Sequence, residues 1–470
     1  MALFYSLMKP PVQLALRVFF RRLQIRRPER LQQPGPLLVA ANHPNTLMDP
    51  LLVAANRHRG QLFFLAKSTF FQNPVLGWFL TKSNCIPVYR RQDVETGAAN
   101  ITPEELQALN EKAFGRSYDH LGRGGTLMIF PEGTSVSERR LRPLKTGAAR
   151  IALGAEARHD FQLGLRILPI GLNYSAAHRF RSDVLVYPAK PIVVADYADE
   201  YRQDPDAAAD ALTEELRRRL ESHLVVTRDD AEDALVRQVE DTFGQYLVPE
   251  HDEGSPYEEF RLTRTLLRAV AWFERHHPQH LDELRQHVTD YAASLQRLGL
   301  TDEALQRSGA GRGRLERGLR TALKVGLGFP VYLYGAVNNY LPYILPSMVA
   351  KRATKEIEFV APLMMVTGML TFGLLYPLQI GLVHRMFGNG WLTAAYALSL
   401  PVTGFYALHY WNELTLRLQR LRLLRLFRQQ PAEVEAVLHQ RQRILQLLDE
   451  ARSAYAAAQT GQGAANSPSS

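Results

Sequence analysis

Residues 359–383 run for 25 positions without a charged side chain. After a loop of seven residues, 384–390, a second uncharged stretch fills 391–411. About 20 apolar residues suffice to cross a bilayer, so the pair predicts a transmembrane helical hairpin. Two buried core helices are the alternative reading of the same lengths. Pro362, Pro377 and Pro401 would disturb soluble helices but are tolerated within membrane spans. Trp391, Tyr410 and Trp411 stand near the ends of the second stretch, where aromatic rings suit the interface. Lys351, Arg352 and Lys355 precede the hairpin, and Arg417, Arg420, Arg422, Arg425 and Arg428 follow it, against one Arg385 in the connecting loop. Positive flanks favour the cytoplasm, so both ends of the hairpin are expected there. The segment 323–347 is also apolar, but its Asn338, Asn339 and three prolines suit an interfacial or re-entrant element better than a full span.

The remaining charge has to be read against that anchor. The chain of 470 residues carries a formal charge of +9, which implies an anionic partner: a membrane surface, a phosphorylated substrate or nucleic acid. Because the positive residues flank apolar spans, anionic membrane lipids are expected and nucleic acid is not. At 46% hydrophobic and 22% charged residues, wholesale disorder is excluded. The single cysteine, Cys85, rules out an intramolecular disulfide and a cysteine-based zinc cluster, which fits a reducing compartment. Arg17, Arg21 and Arg22 interrupt the N-terminal apolar stretch, so no secretory signal is expected. Residues 12–27 instead predict a basic amphipathic helix at a membrane surface, with Leu14, Val18, Phe19, Leu23 and Ile25 on its apolar side; an ordinary helix packed on the domain is the alternative.

Between 36 and 195, short apolar runs alternate with helical patterns. Strands are expected at 36–41, 62–66, 85–89, 126–130, 166–172, 184–188 and 191–194, and helices near 50–58, 69–80, 103–120 and 144–157. The predicted class is α/β: a central mixed sheet covered by helices, followed by a helical region and the C-terminal transmembrane helical hairpin. The expected organisation is a membrane-associating segment at 1–30, an α/β domain at 31–200, amphipathic helices at 201–320, and a membrane region at 321–415. The spans 359–383 and 391–411 lie in the last of these. A glycine-rich basic link falls at 309–318, a basic amphipathic tail at 416–459 and a disordered end at 460–470.

Three clusters lie at the C-terminal ends of predicted strands, where α/β sheets place their sites. Asn42-His43-Pro44-Asn45-Thr46-Leu47-Met48-Asp49-Pro50 follows the first strand. A carboxylate beside a histidine can fix the tautomer of a base, yet residues six apart on one helix point about 120° away from each other. His43 and Asp49 can therefore meet only if the chain turns between them. Ile86 to Arg91 ends another strand with two arginines, which suit a phosphate. Phe130-Pro131-Glu132-Gly133-Thr134-Ser135 holds a carboxylate at a turn, with Thr134 and Ser135 able to cap the next segment. Singly, each cluster also reads as ordinary structure: a hydrogen-bonded histidine, solvated arginines, a plain turn.

In this order, the three clusters resemble the signature of the glycerolipid acyltransferase superfamily, and Leu168-Pro169-Ile170 resembles its fourth block. The resemblance covers roughly 36–200. It implies His43 as general base with Asp49 as its orienting partner. It further implies Arg90 at the substrate phosphate, Glu132 at the glycerol moiety, and Gly133, Thr134, Ser135 and Lys145 lining the same acceptor site. Five residues separate His43 from Asp49, Ser135 stands where the family commonly has arginine, and Pro143 to Ala149 follow. These features are similar to the fungal-type glycerol-3-phosphate/dihydroxyacetone-phosphate acyltransferase branch and its bacterial relatives. Arg139, Arg142 and Lys145 are the candidates to replace the usual arginine.

The activity implied is O-acyl transfer in phospholipid biosynthesis, from acyl-CoA or an acyl carrier protein as co-substrate to glycerol 3-phosphate or dihydroxyacetone phosphate. The resemblance implies no metal and no further cofactor. An integral membrane protein is expected, with its catalytic domain on the cytoplasmic face. Acylation of a lysophospholipid would use the same residues, and a non-catalytic scaffold retaining the fold is the alternative of another class. Thioester hydrolysis lacks the Gly-x-Ser-x-Gly elbow that would favour it.

Overall fold

The computed structural model describes residues 2–90, 101–247, 254–306 and 314–465. Eight strands form one mixed sheet: β1 (Arg22–Ile25), β2 (Leu37–Ala41), β3 (Leu62–Lys67), β4 (Cys85–Val88), β5 (Thr126–Ile129), β6 (Arg166–Tyr174), β7 (Asp183–Pro188) and β8 (Ile192–Val193). The order is β1-β7-β6-β2-β5-β3-β4, with β8 pairing β6. The pairings β2 with β5 and β6, β3 with β4 and β5, and β1 with β7 are parallel, whereas β6 pairs antiparallel with β7 and β8. The expected strands are all present within a few residues.

Strand periodicity sorts the core into two layers. In β2, Leu38 and Ala40 join one apolar cluster while Leu37, Val39 and Ala41 join the other. The first layer is covered by α4 (Pro103–Gly122), α5 (Gly147–Ala157) and α6 (Pro205–Glu221). The second is covered by α1 (Ala2–Phe19) and α2 (Met48–Asn56). Between β3 and β4, α3 (Pro74–Lys82) opens at Asn73, whose side chain accepts from the backbone N–H groups of Val75 and Leu76.

The expected helix over 12–27 is corrected. The helix ends at Phe19, and 22–25 is an edge strand in register with 183–186. Leu16, Phe19 and Phe20 are buried in the second layer. Asp183 on β7 takes the guanidinium groups of Arg21 and Arg22. An edge pairing with a strand some 160 positions away leaves no local signature, whereas the apolar–basic pattern imitates a helix face.

Two units emerge from the packing of the described chain. One comprises 1–226, 254–260 and 346–369; the other comprises 227–253, 261–345 and 370–470. In the second, α7 (Asp230–Leu247), the later turns of α8 (Pro256–His276), α9 (Pro278–Leu298), α10 (Asp302–Gln306) and α14 (Pro431–Ala465) share an apolar core. The expected basic tail is thus helical but not free: Val434, Val437 and Ile444 are buried in that core. Helix α14 also runs to Ala465, which corrects the expected disorder from 460; residues 466–470 lie outside the described part. Part of the basic link, 307–313, lies outside it too, and 314–318 is helical.

Helices α12 (Ile357–Phe387) and α13 (Gly390–Gln429) are each long and apolar enough to cross a membrane, and their apolar windows are only 17% and 11% buried. Both outrun the expected spans, α13 by 18 residues beyond Trp411. Segment 323–347 belongs to the 40-residue α11 (Arg314–Ala353). Its Asn339 donates to the Leu400 carbonyl at 3.2 Å and accepts from Tyr376, and Asn338 accepts from Tyr396 at 2.7 Å. These asparagines join α11 to α12 and α13, which accounts for polar amides in an apolar segment.

Candidate active site

The C-terminal edges of parallel strands converge on one place. His43 follows β2, Glu132 follows its neighbour β5, Arg90 follows β4, and Tyr174 ends β6 on the other side of β2. Between His43 and Asp49 the chain does turn. Pro44 and Asn45 precede a Thr46 with φ of 27°, and α2 starts only at Met48. The turn brings His43 Nδ1 to 2.8 Å from Asp49 Oδ2.

Asp49 is fully buried at the start of α2, where a helix N-terminus favours a carboxylate. Two further donors hold it. The Asn45 N–H reaches Oδ2 at 2.8 Å, and the Tyr174 hydroxyl donates to Oδ1. Burial, followed by the Asp49 charge and hydrogen bond, pushes the Tyr174 phenol well above its usual range, so it acts there as a donor. The imidazole of His43 stacks on Phe130, with centroids 3.8 Å apart and planes at 12°. With Nδ1 held by the carboxylate, Nε2 has no partner among the described residues and is free to take a proton.

Glu132 accepts the His43 backbone N–H at 2.9 Å on Oε1 and the Arg142 backbone N–H at 3.2 Å on Oε2. Burial raises its carboxyl above the ordinary 4.5, against the lowering effect of those two bonds. Its carboxylate therefore ties the loop after β5 to the loop after β2. Ser135 adds a second tie, accepting the Thr46 N–H at 3.0 Å across the loops; the expected capping of its own following segment is not its part here. The Val136 N–H donates to the His43 carbonyl at 3.1 Å.

Gly133 has φ of +71°, a conformation that favours glycine. Its carbonyl accepts from Arg90 Nη1 at 2.8 Å, and a Cβ built on it would lie 2.8 Å from Lys145 Nζ. Two cations thus meet at the turn beside Glu132. Thr134 lies half-buried in the same turn and makes no side-chain hydrogen bond among the described residues. Of the other candidates for the missing arginine, Arg142 contributes its backbone N–H to Glu132 and turns its guanidinium toward Glu138. Arg91 lies outside the described residues.

Sequence reasoning missed several contributors. Asn42 forms a two-way bond with the backbone of Leu172, at 2.8 and 3.0 Å, pinning the start of the loop to β6. Buried Asn45 donates to the Ala177 carbonyl at 2.7 Å. The Thr46 hydroxyl donates to the Glu358 carbonyl at 2.9 Å, in the first turn of α12, whose Ala361 and Met365 are buried in the second core layer. The asparagines stood beside His43 in the motif and could have been suspected. Tyr174 and Glu358 are remote in sequence and could not.

Residues 22–173 match the family model described as Acyltransferase. Glycerol-3-phosphate O-acyltransferase 1 of Saccharomyces cerevisiae is 23% identical, over 61% of this chain and 47% of that protein. Glycerol-3-phosphate O-acyltransferase 2 of the same yeast is 35% identical, over 23% and 14%. An uncharacterized acyltransferase of Schizosaccharomyces pombe is 24% identical, over 61% and 53%. The chain spans about half the length of the first and third of these relatives. Among solved structures, the 1-acyl-sn-glycerophosphate acyltransferase of Thermotoga maritima is 18% identical, with a TM-score of 0.30 over 45% of this chain and 79% of that one.

Residues 22–173, which hold most of the sheet and the loops on its C-terminal edge, thus match an acyltransferase domain. Within that class, the chain is similar to the two glycerol-3-phosphate O-acyltransferases of Saccharomyces cerevisiae.

Proposed function

We propose that this chain transfers a fatty acyl group from an acyl thioester to the free hydroxyl of glycerol 3-phosphate or dihydroxyacetone phosphate. One observation carries the reading: an imidazole held at Nδ1 by a buried carboxylate, with Nε2 free, beside a turn where two cations gather. His43 Nε2 takes the proton of the acceptor hydroxyl as its oxygen attacks the thioester carbonyl carbon. The tetrahedral intermediate collapses, the C–S bond breaks, and the departing thiolate takes that proton back from His43. Asp49 keeps the imidazole oriented and stabilises its protonated form.

Arg90 and Lys145 hold the acceptor phosphate at Gly133. Glu132 positions the His43 loop through its backbone bonds while presenting a carboxyl toward the acceptor side. The site faces the cytoplasm, where a soluble thioester is available, and α12 and α13 anchor the chain in the membrane; the basic flanks of the hairpin support that orientation.

The test is acyl transfer by the purified full chain in lipid nanodiscs. Labelled acyl-CoA is offered with glycerol 3-phosphate, dihydroxyacetone phosphate and lysophosphatidic acid in parallel, for wild type and His43→Ala. The reading requires glycerol 3-phosphate or dihydroxyacetone phosphate to be acylated, and the variant to lose at least about a thousand-fold. Undiminished transfer by the variant overturns the mechanism. Acylation of lysophosphatidic acid alone overturns the acceptor.

A further inference from the structure

We infer that the N-terminal turns of α1 and the outer face of α3 form one lipid-contacting surface, laying the acyltransferase unit on an anionic leaflet. This goes beyond the acyl-transfer reading and does not depend on it. The rings of Phe4 on α1 and of Trp78 and Phe79 on α3 meet edge to face, at 5.7 and 5.8 Å, so the two helices present a continuous patch. Around that contact Leu3 is 83% exposed, Leu7 69%, Val75 77% and Trp78 57%, with Leu76 exposed as well.

Helix α3 turns these side chains outward because its other side is committed. Gly77 and Leu80 are buried, and a Cβ on Gly77 would lie 2.7 Å from the Phe71 carbonyl oxygen, leaving no room to roll the helix over. Contiguous apolar surface of this kind marks a contact site, and an outward tryptophan suits the bilayer interface.

Charge selects the occupant. Residues 1–90 contain twelve lysines and arginines but only two acids, Glu29 and Asp49. Asp49 and Arg57 are buried, and Asp183 and Glu259 offset Arg21 and Arg22, which leaves the other cations facing Glu29 as the one further acid of that stretch. A second copy of the chain would bring the same excess of positive charge and be repelled, whereas an anionic leaflet attracts both the cations and the apolar patch. The membrane contact expected over 12–27 is thereby relocated. Leu16, Phe19 and Phe20 belong to the core, and lipid is met by the start of α1 together with α3.

The test uses the full chain with Val75→Cys carrying an environment-sensitive dye, against Asp210→Cys on α6, the helix covering the other core layer. The native Cys85 is half-buried and desolvation pushes its thiol up to about 12, so labelling near neutral pH goes to the introduced thiol. Both proteins are reconstituted in vesicles of phosphatidylcholine and phosphatidylglycerol, with brominated acyl chains as quencher. Quenching at position 75 is expected to exceed that at 210 by about three-fold or more. Equal quenching at the two positions overturns the inference. So does a disulfide between two Val75→Cys copies in dilute detergent, which would assign the patch to self-association.

Discussion

Replacing Tyr174 with phenylalanine keeps the ring, and with it the contact to Phe20 at 5.9 Å, while removing one donor from a carboxylate with no access to water. Hydrogen bonds to buried charges are worth about 1.5–3 kcal/mol. If that bond holds Asp49 in the position that orients His43, kcat/KM should fall about ten- to a hundred-fold, at about 1.4 kcal/mol per decade. Structural damage alone could give the same number, so the measurement belongs in a cycle. In an Asp49→Ala background the hydroxyl has no carboxylate to hold, and adding Tyr174→Phe should change kcat/KM by less than about two-fold. Initial rates with labelled acyl-CoA in nanodiscs give all four corners. Equal losses in both backgrounds would show that Tyr174 acts elsewhere, and no loss in the wild-type background would show that Asn45 and His43 alone hold Asp49.

Gly133→Ala forces a side chain into a left-handed conformation beside the Lys145 amine, a strain of about 1–2 kcal/mol. On the proposed reading, in which the cations there hold the acceptor phosphate, KM for glycerol 3-phosphate should rise about ten-fold while kcat changes little; the reverse split would place Gly133 in the chemical step. Burial raises the Glu132 carboxyl above 4.5, so the folded state holds that proton more tightly than the unfolded chain. Its contribution is most favourable when protonated and is lost as pH rises from about 4.5 through the raised value. The melting temperature of wild type relative to Glu132→Gln should therefore fall across that window, and a rise would refute the assignment. Cys85, half-buried and with its thiol pushed up to about 12 by desolvation, should alkylate at pH 8 about a hundred-fold more slowly folded than unfolded, as mass spectrometry of timed samples would show.

Much of the candidate site was legible because each motif sits at the end of a largely apolar strand, and parallel strands align their C-terminal ends. The constraint on His43 and Asp49, that they meet only across a turn, is met by Thr46 and the late start of α2. Three features escaped because they depend on pairing across long stretches of chain. Strand β1 reads as a helix face until β7 is beside it. Tyr174 is an unremarkable strand end until β6 lies against β2. Ser135, anticipated as a cap for its own segment, serves the neighbouring loop instead.

The acyltransferase unit is assembled from separated pieces of chain, ending with the first turns of α12, where Ala361 and Met365 fill the second core layer. During synthesis that layer stays open after every strand has emerged. At about 5–20 residues per second, the 171 residues between β8 and Met365 take roughly 8–35 seconds to be made. Throughout that interval the apolar side of α1 and α2 lacks its last cover, and Thr46 lacks the carbonyl it will bond. The loop that carries His43 is therefore completed only once the first turns of α12 have been made, well after every strand of the sheet.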